Sequence, residues 1–195
     1  MRGFVKSLSV VATLSVITSG AQAAIVTEHF NFSQWSIVAD DVTAITFTEF
    51  PSFTVITDQY AHLGATFADG NDFTFSSTSF PQDGFGLAGS DSDSITVQFD
   101  APRSTIGVHY PGAMFIELYN QGTLFYTSIN YDPALFGPFV GLASTIPFDT
   151  VVIGSWATFG QAFIDNLYFG PPVPGPGGAA VMGLAILSFA RRRRC

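Results

Sequence analysis

The residues of this 195-residue chain best suited to chemistry are its fifteen carboxylates, all of which fall between Glu28 and Asp165. Carboxylates in this setting support two chemistries. Hard cations such as calcium collect carboxylate and backbone oxygens from loops. Asp69-Gly70-Asn71-Asp72 and the pair Asp91 and Asp93 stand in loop-like sequence of that kind. Glycoside hydrolysis instead needs two carboxyl groups facing each other across a cleft. The candidates are Glu28, Glu49 and Glu117, and no flanking signature marks any of them. Other chemistries lack their parts. A serine hydrolase elbow of the G-x-S-x-G type does not occur. His29, His62 and His109 are scattered, without the spacing of a zinc site. The single cysteine, Cys195, is the last residue, so disulfides and cysteine-ligated zinc drop out.

The basic residues are distributed differently. Arg2 and Lys6 stand at one end, Arg191, Arg192, Arg193 and Arg194 at the other, and only Arg103 lies between. The formal net charge of −8 therefore divides into two cationic ends and a segment, 24–170, that carries −14. One arginine cannot displace the counterions of a phosphate backbone, so nucleic acid is excluded as a partner of this segment. The absence of lysine there removes P-loop and Schiff-base chemistry. Arg103 is expected to pair locally with an acid such as Asp100. The segment is not a solvated acidic coil either, because it holds 19 of the chain's 21 phenylalanines.

The elements that must position these groups read as strands. Thr43–Glu49, Ser94–Phe99, Phe115–Tyr119, Leu124–Ile129, Thr150–Ile153 and Ala162–Phe169 show the period-two alternation and the β-branched and aromatic content of half-buried strands. Gly, Pro, Asn and Asp separate them. Roughly ten strands at this spacing, with no useful helical periodicity beyond the N-terminal segment, predict an all-β, antiparallel two-sheet sandwich or jelly roll. Asn120-Gln121-Gly122-Thr123 predicts a hairpin, Glu117 should point opposite Ile116 and Leu118, and Pro102 and Pro111 should lie at strand ends. Most phenylalanines belong to the core. An exposed aromatic strip, or Trp35 and Trp156, would be a platform for sugar rings.

Both ends read as addresses. Arg2 and Lys6, the apolar run Leu8–Ile17 and the small-residue sequence Ala21-Gln22-Ala23 predict a signal peptide over 1–23, cut after Ala23, with the Sec translocon and signal peptidase as partners. At the other end, 171–178 is a proline- and glycine-rich hinge, Ala179–Ala190 is an apolar run of 12 residues, and four arginines follow. Such a run is short of the ~20 residues that span a bilayer comfortably, yet it can insert with its arginines on the cytoplasmic side. Val173-Pro174-Gly175-Pro176, then Gly183-Leu184-Ala185, then Ala190-Arg191-Arg192-Arg193-Arg194 resembles a PEP-CTERM sorting tail over 171–195, with Gly175 where that family usually has glutamate. The resemblance implies an exosortase-type membrane enzyme as a partner, a transient stay at the inner membrane, and delivery to the envelope or the extracellular matrix.

The middle segment carries a second resemblance. Asp58–Phe67, Asp93–Pro102, Glu117–Leu124, Phe139–Leu142 and Phe163–Phe169 are together similar to the strands of exported galactose-binding-like jelly rolls of the carbohydrate-binding-module type. Related domains hold a structural calcium between an early acid and one on the last strand. Carried over by position, these are Glu49 and Asp165. The expectation is therefore a non-enzymatic exported β-sandwich, 24–170, that binds polysaccharide or serves as a structural module. The competing expectations are a glycan-active enzyme with paired carboxylates and an acidic surface protein without a specific ligand.

Overall fold

The computed structural model describes residues 24–89, 94–156 and 160–173. These residues contain eleven strands, two short α-helices and a single 3-10 turn (Ala61–Leu63): β1 (Val26–His29), α1 (Phe32–Ala39), β2 (Thr43–Ile45), β3 (Ala65–Phe67), β4 (Phe73–Ser76), β5 (Phe85–Ala88), β6 (Ser94–His109), β7 (Met114–Asn120), β8 (Thr123–Thr127), α2 (Pro133–Phe136), β9 (Phe139–Ser155), β10 (Phe163–Ile164) and β11 (Leu167–Phe169). Strand pairing is antiparallel throughout. Eight strands form one sheet in the order β2-β11-β6-β9-β7-β8, with β1 added to β9 and β3 to β6, and β10-β5-β4 form a second. The all-β, two-sheet antiparallel fold is thus as the alternation predicts.

Two long strands organise the large sheet. β6 and β9 pair along most of their length, but their register breaks between Gln98 and Thr105. Pro102 sits at this break. The expectation that it ends a strand is corrected to a place inside β6, at a bulge, where its missing N–H removes no ladder bond. The break also shifts which residues face inward. Before it the buried apolar residues of β6 are Ile95 and Val97, after it Ile106 and Val108; β9 changes in the same way, from Val140 and Leu142 to Val151 and Ile153. The sheet thereby divides into two halves. One joins β3, β7 and β8 to residues 94–98 and 150–154; the other joins β1, β2 and β11 to 105–109 and 139–143. Inward residues of both halves, with Leu87 and Ile164 of the small sheet, make one continuous apolar core.

Arg103 secures the break. Its Nη2 pairs with Asp100 at 2.8 Å and its Nη1 donates to the Gly170 carbonyl at 3.2 Å. The guanidinium lies over the Phe99 and Phe169 rings, 5.6 and 5.1 Å from their centroids. The expected local ion pair is present, and the same side chain also fastens the strand that leaves the domain.

The second half of the large sheet is covered on its outer face by α1, a helix that the sequence pattern misses. Asn31 caps it by accepting from the Gln34 amide. Trp35 and Ala39, one helical turn apart, are buried against the sheet. The indole rests on the cross-strand pair Gly107 and Gly141, where a Cβ on Gly141 would stand 2.3 Å from the indole Cγ. Its Nε1 donates to the Leu142 carbonyl at 3.1 Å. Trp35 is therefore a core residue and no sugar platform. Glu117 does point away from Ile116 and Leu118, and the 120–123 turn joins β7 to β8 with Gln121 and Gly122 at φ 50° and 74°.

Candidate functional site

At the far end of β6 from the break, β4, the 77–84 loop, the 110–113 turn and β10 enclose a cleft of about 270 Å³. Phe75, Phe80 and Phe163 form its walls, with ring centroids 6.3–6.5 Å apart, and Pro111 and Gly112 close one side. Ser77 and Ser79 provide hydroxyls at its edge. Phe80 can lie this deep because Gly86 on β5 has no side chain: a Cβ there would stand 2.7 Å from the Phe80 ring and 2.2 Å from the Ile164 carbonyl. None of the lining residues is charged. The chemistry on offer is ring-face contact combined with neutral hydrogen bonding.

A buried polar network fixes the rim of the cleft. Asp165, fully buried, accepts from the Gln82 amide at 2.5 Å and also from the Asp83 amide, which pins the 77–84 loop. We assign the Asn166 amide so that it donates to Asp165 Oδ1 and accepts from the Tyr168 hydroxyl, both at 3.1 Å. His109 Nδ1 lies 3.2 Å from the same hydroxyl and, as the remaining donor, completes the chain. Burial lowers the His109 pKa to about 4, so its imidazole is neutral at physiological pH; burial likewise raises that of Asp165. The Phe32 ring covers His109 and Tyr168 from outside, with centroids 6.0 and 4.8 Å away.

The acids expected to carry chemistry are distributed as follows. Glu49 is exposed and accepts from the Tyr60 hydroxyl at 3.0 Å, a partner set separate from that of Asp165. Glu117 accepts from Tyr119 at 2.6 Å, and Glu28 from both Tyr126 and Tyr131 at 2.5 and 2.8 Å. Each glutamate is thus bound to tyrosine, and none lines the cleft. These phenols are held above their usual pKa, with burial the largest cause for Tyr126, at about 12, and the Glu117 hydrogen bond for Tyr119. Among the described residues, no group of three or more His, Cys, Asp or Glu is gathered for a metal. Asp72 is the unusual acid. It is fully buried, and neither carboxyl oxygen has a hydrogen-bond partner. Burial first, and Asp69 second, raise its pKa to about 7. Asp69 itself accepts from the Thr96 amide at 2.8 Å. Asp72 is thus a buried carboxyl beside a second acid, and its oxygens meet no donor.

Trp156 is 59% exposed and meets Phe115 edge-on at 6.3 Å. Val173, the first residue of the tail motif, donates its amide to the Pro102 carbonyl at 2.8 Å. Ala21, Ala23, Asp91, Asp93, Pro174, Gly175, Pro176 and the arginines 191–194 lie outside the described residues. Among the described residues no helix is long and apolar enough to cross a membrane.

No protein-family model matches the chain, and no curated protein matches it. The solved structures similar to it include two carbohydrate-binding domains. The GH31 CBM32-2 domain bound to GalNAc shares 13% identity at a TM-score of 0.34, covering 77% of this chain and 99% of its own. The family 32 CBM of C. perfringens NanJ in complex with galactose shares 18% identity at a TM-score of 0.31, covering 65% and 98%. At these TM-scores neither superposition transfers a ligand or a residue role, and the chain's own geometry must carry the functional reading.

Proposed function

We propose that this is an exported, non-enzymatic glycan-binding module whose cleft takes a sugar ring against its cluster of phenylalanine rings. One observation carries the reading: three phenylalanines and two serine hydroxyls converge on an uncharged cleft of about 270 Å³. The weakly polar C–H face of a pyranose suits aromatic rings, and its hydroxyls suit serine. Delivery follows from the two ends: Sec export, signal peptidase cleavage after Ala23, a transient stay at the inner membrane through 171–195, exosortase-type processing, and release to the envelope or matrix polysaccharide.

Calcium, where bound, would be a structural cofactor with Asp69 and Asp72 as the favoured ligands and Glu49 with Asp165 as the competing pair. The glycan reading is tested on the full chain with a glycan array followed by titration of the best binder. Phe163→Ala is expected to weaken binding about tenfold, the scale of one lost aromatic contact. The melting temperature should stay within a few degrees, because Phe163 is only partly buried. Unchanged affinity in Phe163→Ala and Ser79→Ala proteins that fold normally would remove the cleft from this role.

A further inference from the structure

Helix α1 exposes two aliphatic side chains that its amphipathic role does not require. Ile37 is 82% and Val38 51% exposed, and Ile25, across a shallow groove from Val38, is 59% exposed. Thr27, Ser104, Thr105, Ala143, Ser144 and Thr145 line the rest of this groove of about 220 Å³. The domain's two chain connections meet at the same place. Ile25 exchanges hydrogen bonds with Thr145, through the Thr145 hydroxyl and the Thr145 amide. Gly170 and Val173 donate to Thr105 and Pro102. Thr105 pairs with Ala143 across the β6–β9 ladder, so both connections leave from one pole.

The cleft occupies the other pole. Phe163 precedes Gly170 by seven residues and Pro111 follows Thr105 by six, which at about 3.3 Å per extended residue puts the poles up to about 20 Å apart. We infer that the Ile25–Ile37–Val38 pole is a lipid-contact surface, on which the domain rests while its tail is in the membrane, with the cleft directed away from the bilayer. Exposed aliphatics beside both membrane-directed segments are the groups that partition into a headgroup–acyl boundary. Charge selects the kind of lipid. Asp40 and Asp41 follow α1 directly, and the domain's one arginine is paired with Asp100, so the pole suits zwitterionic rather than anionic headgroups. The inference rests on the reading of 171–195 as a membrane-inserting tail and is independent of any sugar in the cleft.

The test uses the full chain with Cys195→Ser and a single cysteine, Val38→Cys or Ser79→Cys, carrying an environment-sensitive fluorophore. Each protein is incorporated into vesicles of phosphatidylcholine and phosphatidylethanolamine with and without a lipid-borne quencher. The label at position 38 should shift to the blue and lose at least half its emission to the quencher, while the label at position 79 does neither. Equal water exposure of the two labels, or failure of the protein to associate with the vesicles, overturns the inference. So does shielding of position 38 before lipid is added, which would assign the groove to the chain's own tail or to a second copy. Glycan titration of the protein labelled at position 38, whose cleft is unaltered, reads the cleft separately.

Discussion

Asp72 sets a pH dependence of its own. A carboxyl with a pKa near 7 in the folded state and 3.8 as its ordinary value holds a proton in the native protein that the unfolded chain releases. Its contribution to stability is present below the ordinary value and is lost as pH rises towards 7. His109 works in the opposite sense. Its pKa falls from 6.5 to about 4, so stability from this residue is present above 6.5 and lost as pH drops towards 4. Between pH 4 and 6.5 the two oppose each other. Asp72→Asn removes one side, and chemical denaturation should then show stability rising over that interval by more than in the parent protein. At pH 7.5 the calcium proposal adds a second readout. Calcium should raise the melting temperature of the parent by several degrees and EDTA should reverse it, with Asp72→Asn insensitive to both. A response retained in Asp72→Asn but lost in Asp165→Asn would move the ion to the Glu49–Asp165 pair.

At the level of elements, the contact between α1 and the sheet depends on a missing side chain. Trp35 fills the space above Gly107 and Gly141, and a methyl group on Gly141 would overlap the indole. Gly141→Ala is expected to cost about 1–3 kcal/mol from overpacking, or about 3–10 °C in melting temperature for a domain of this size. Thermal unfolding checks this, with Gly112→Ala as a control, since Gly112 faces open space. Strands and hairpin were legible from the sequence because alternation is local: Glu117 points outward between Ile116 and Leu118, and Gln121-Gly122 accepts positive φ. The helix was not. Eight residues give little more than two turns, and Ile37 and Val38 lie on its exposed side, which blurs the one-sided apolar stripe that identifies a helix.

On the scale of the whole molecule, the fold puts its connections at one pole and its aromatic cleft at the other. Under the proposed function and sorting route, a module tethered this way would engage polysaccharide without turning round when the tail is cut. The sorting proposal is checked by mass spectrometry of protein recovered from the native cell surface. The expected product starts at Ala24 and lacks Arg191–Arg194; a mature protein that still ends in the arginine cluster rules out processing of the tail. The cleft itself was not legible in the sequence. Phe75, Phe80 and Phe163 look like any other core phenylalanines there, and the signal that distinguishes them is their convergence across loops remote in the chain. Asp165 shows the same limit. Its burial and its bond to Gln82, 83 residues away, make it an anchor of the cleft's rim in the described fold.

By itself the sequence determined the charge partition, the β character of the middle segment and the exclusion of lysine, cysteine and nucleic-acid chemistry, because these depend on composition and on neighbours two to four residues apart. The tertiary structure decided which aromatic residues are core and which form a cleft, which acids are bound to tyrosine and which is left without a partner, and where the two connections emerge. Those properties depend on burial and on contacts between distant strands, and they exist only once the register break in β6 and β9 has turned the inward residues of both halves of the sheet towards one core.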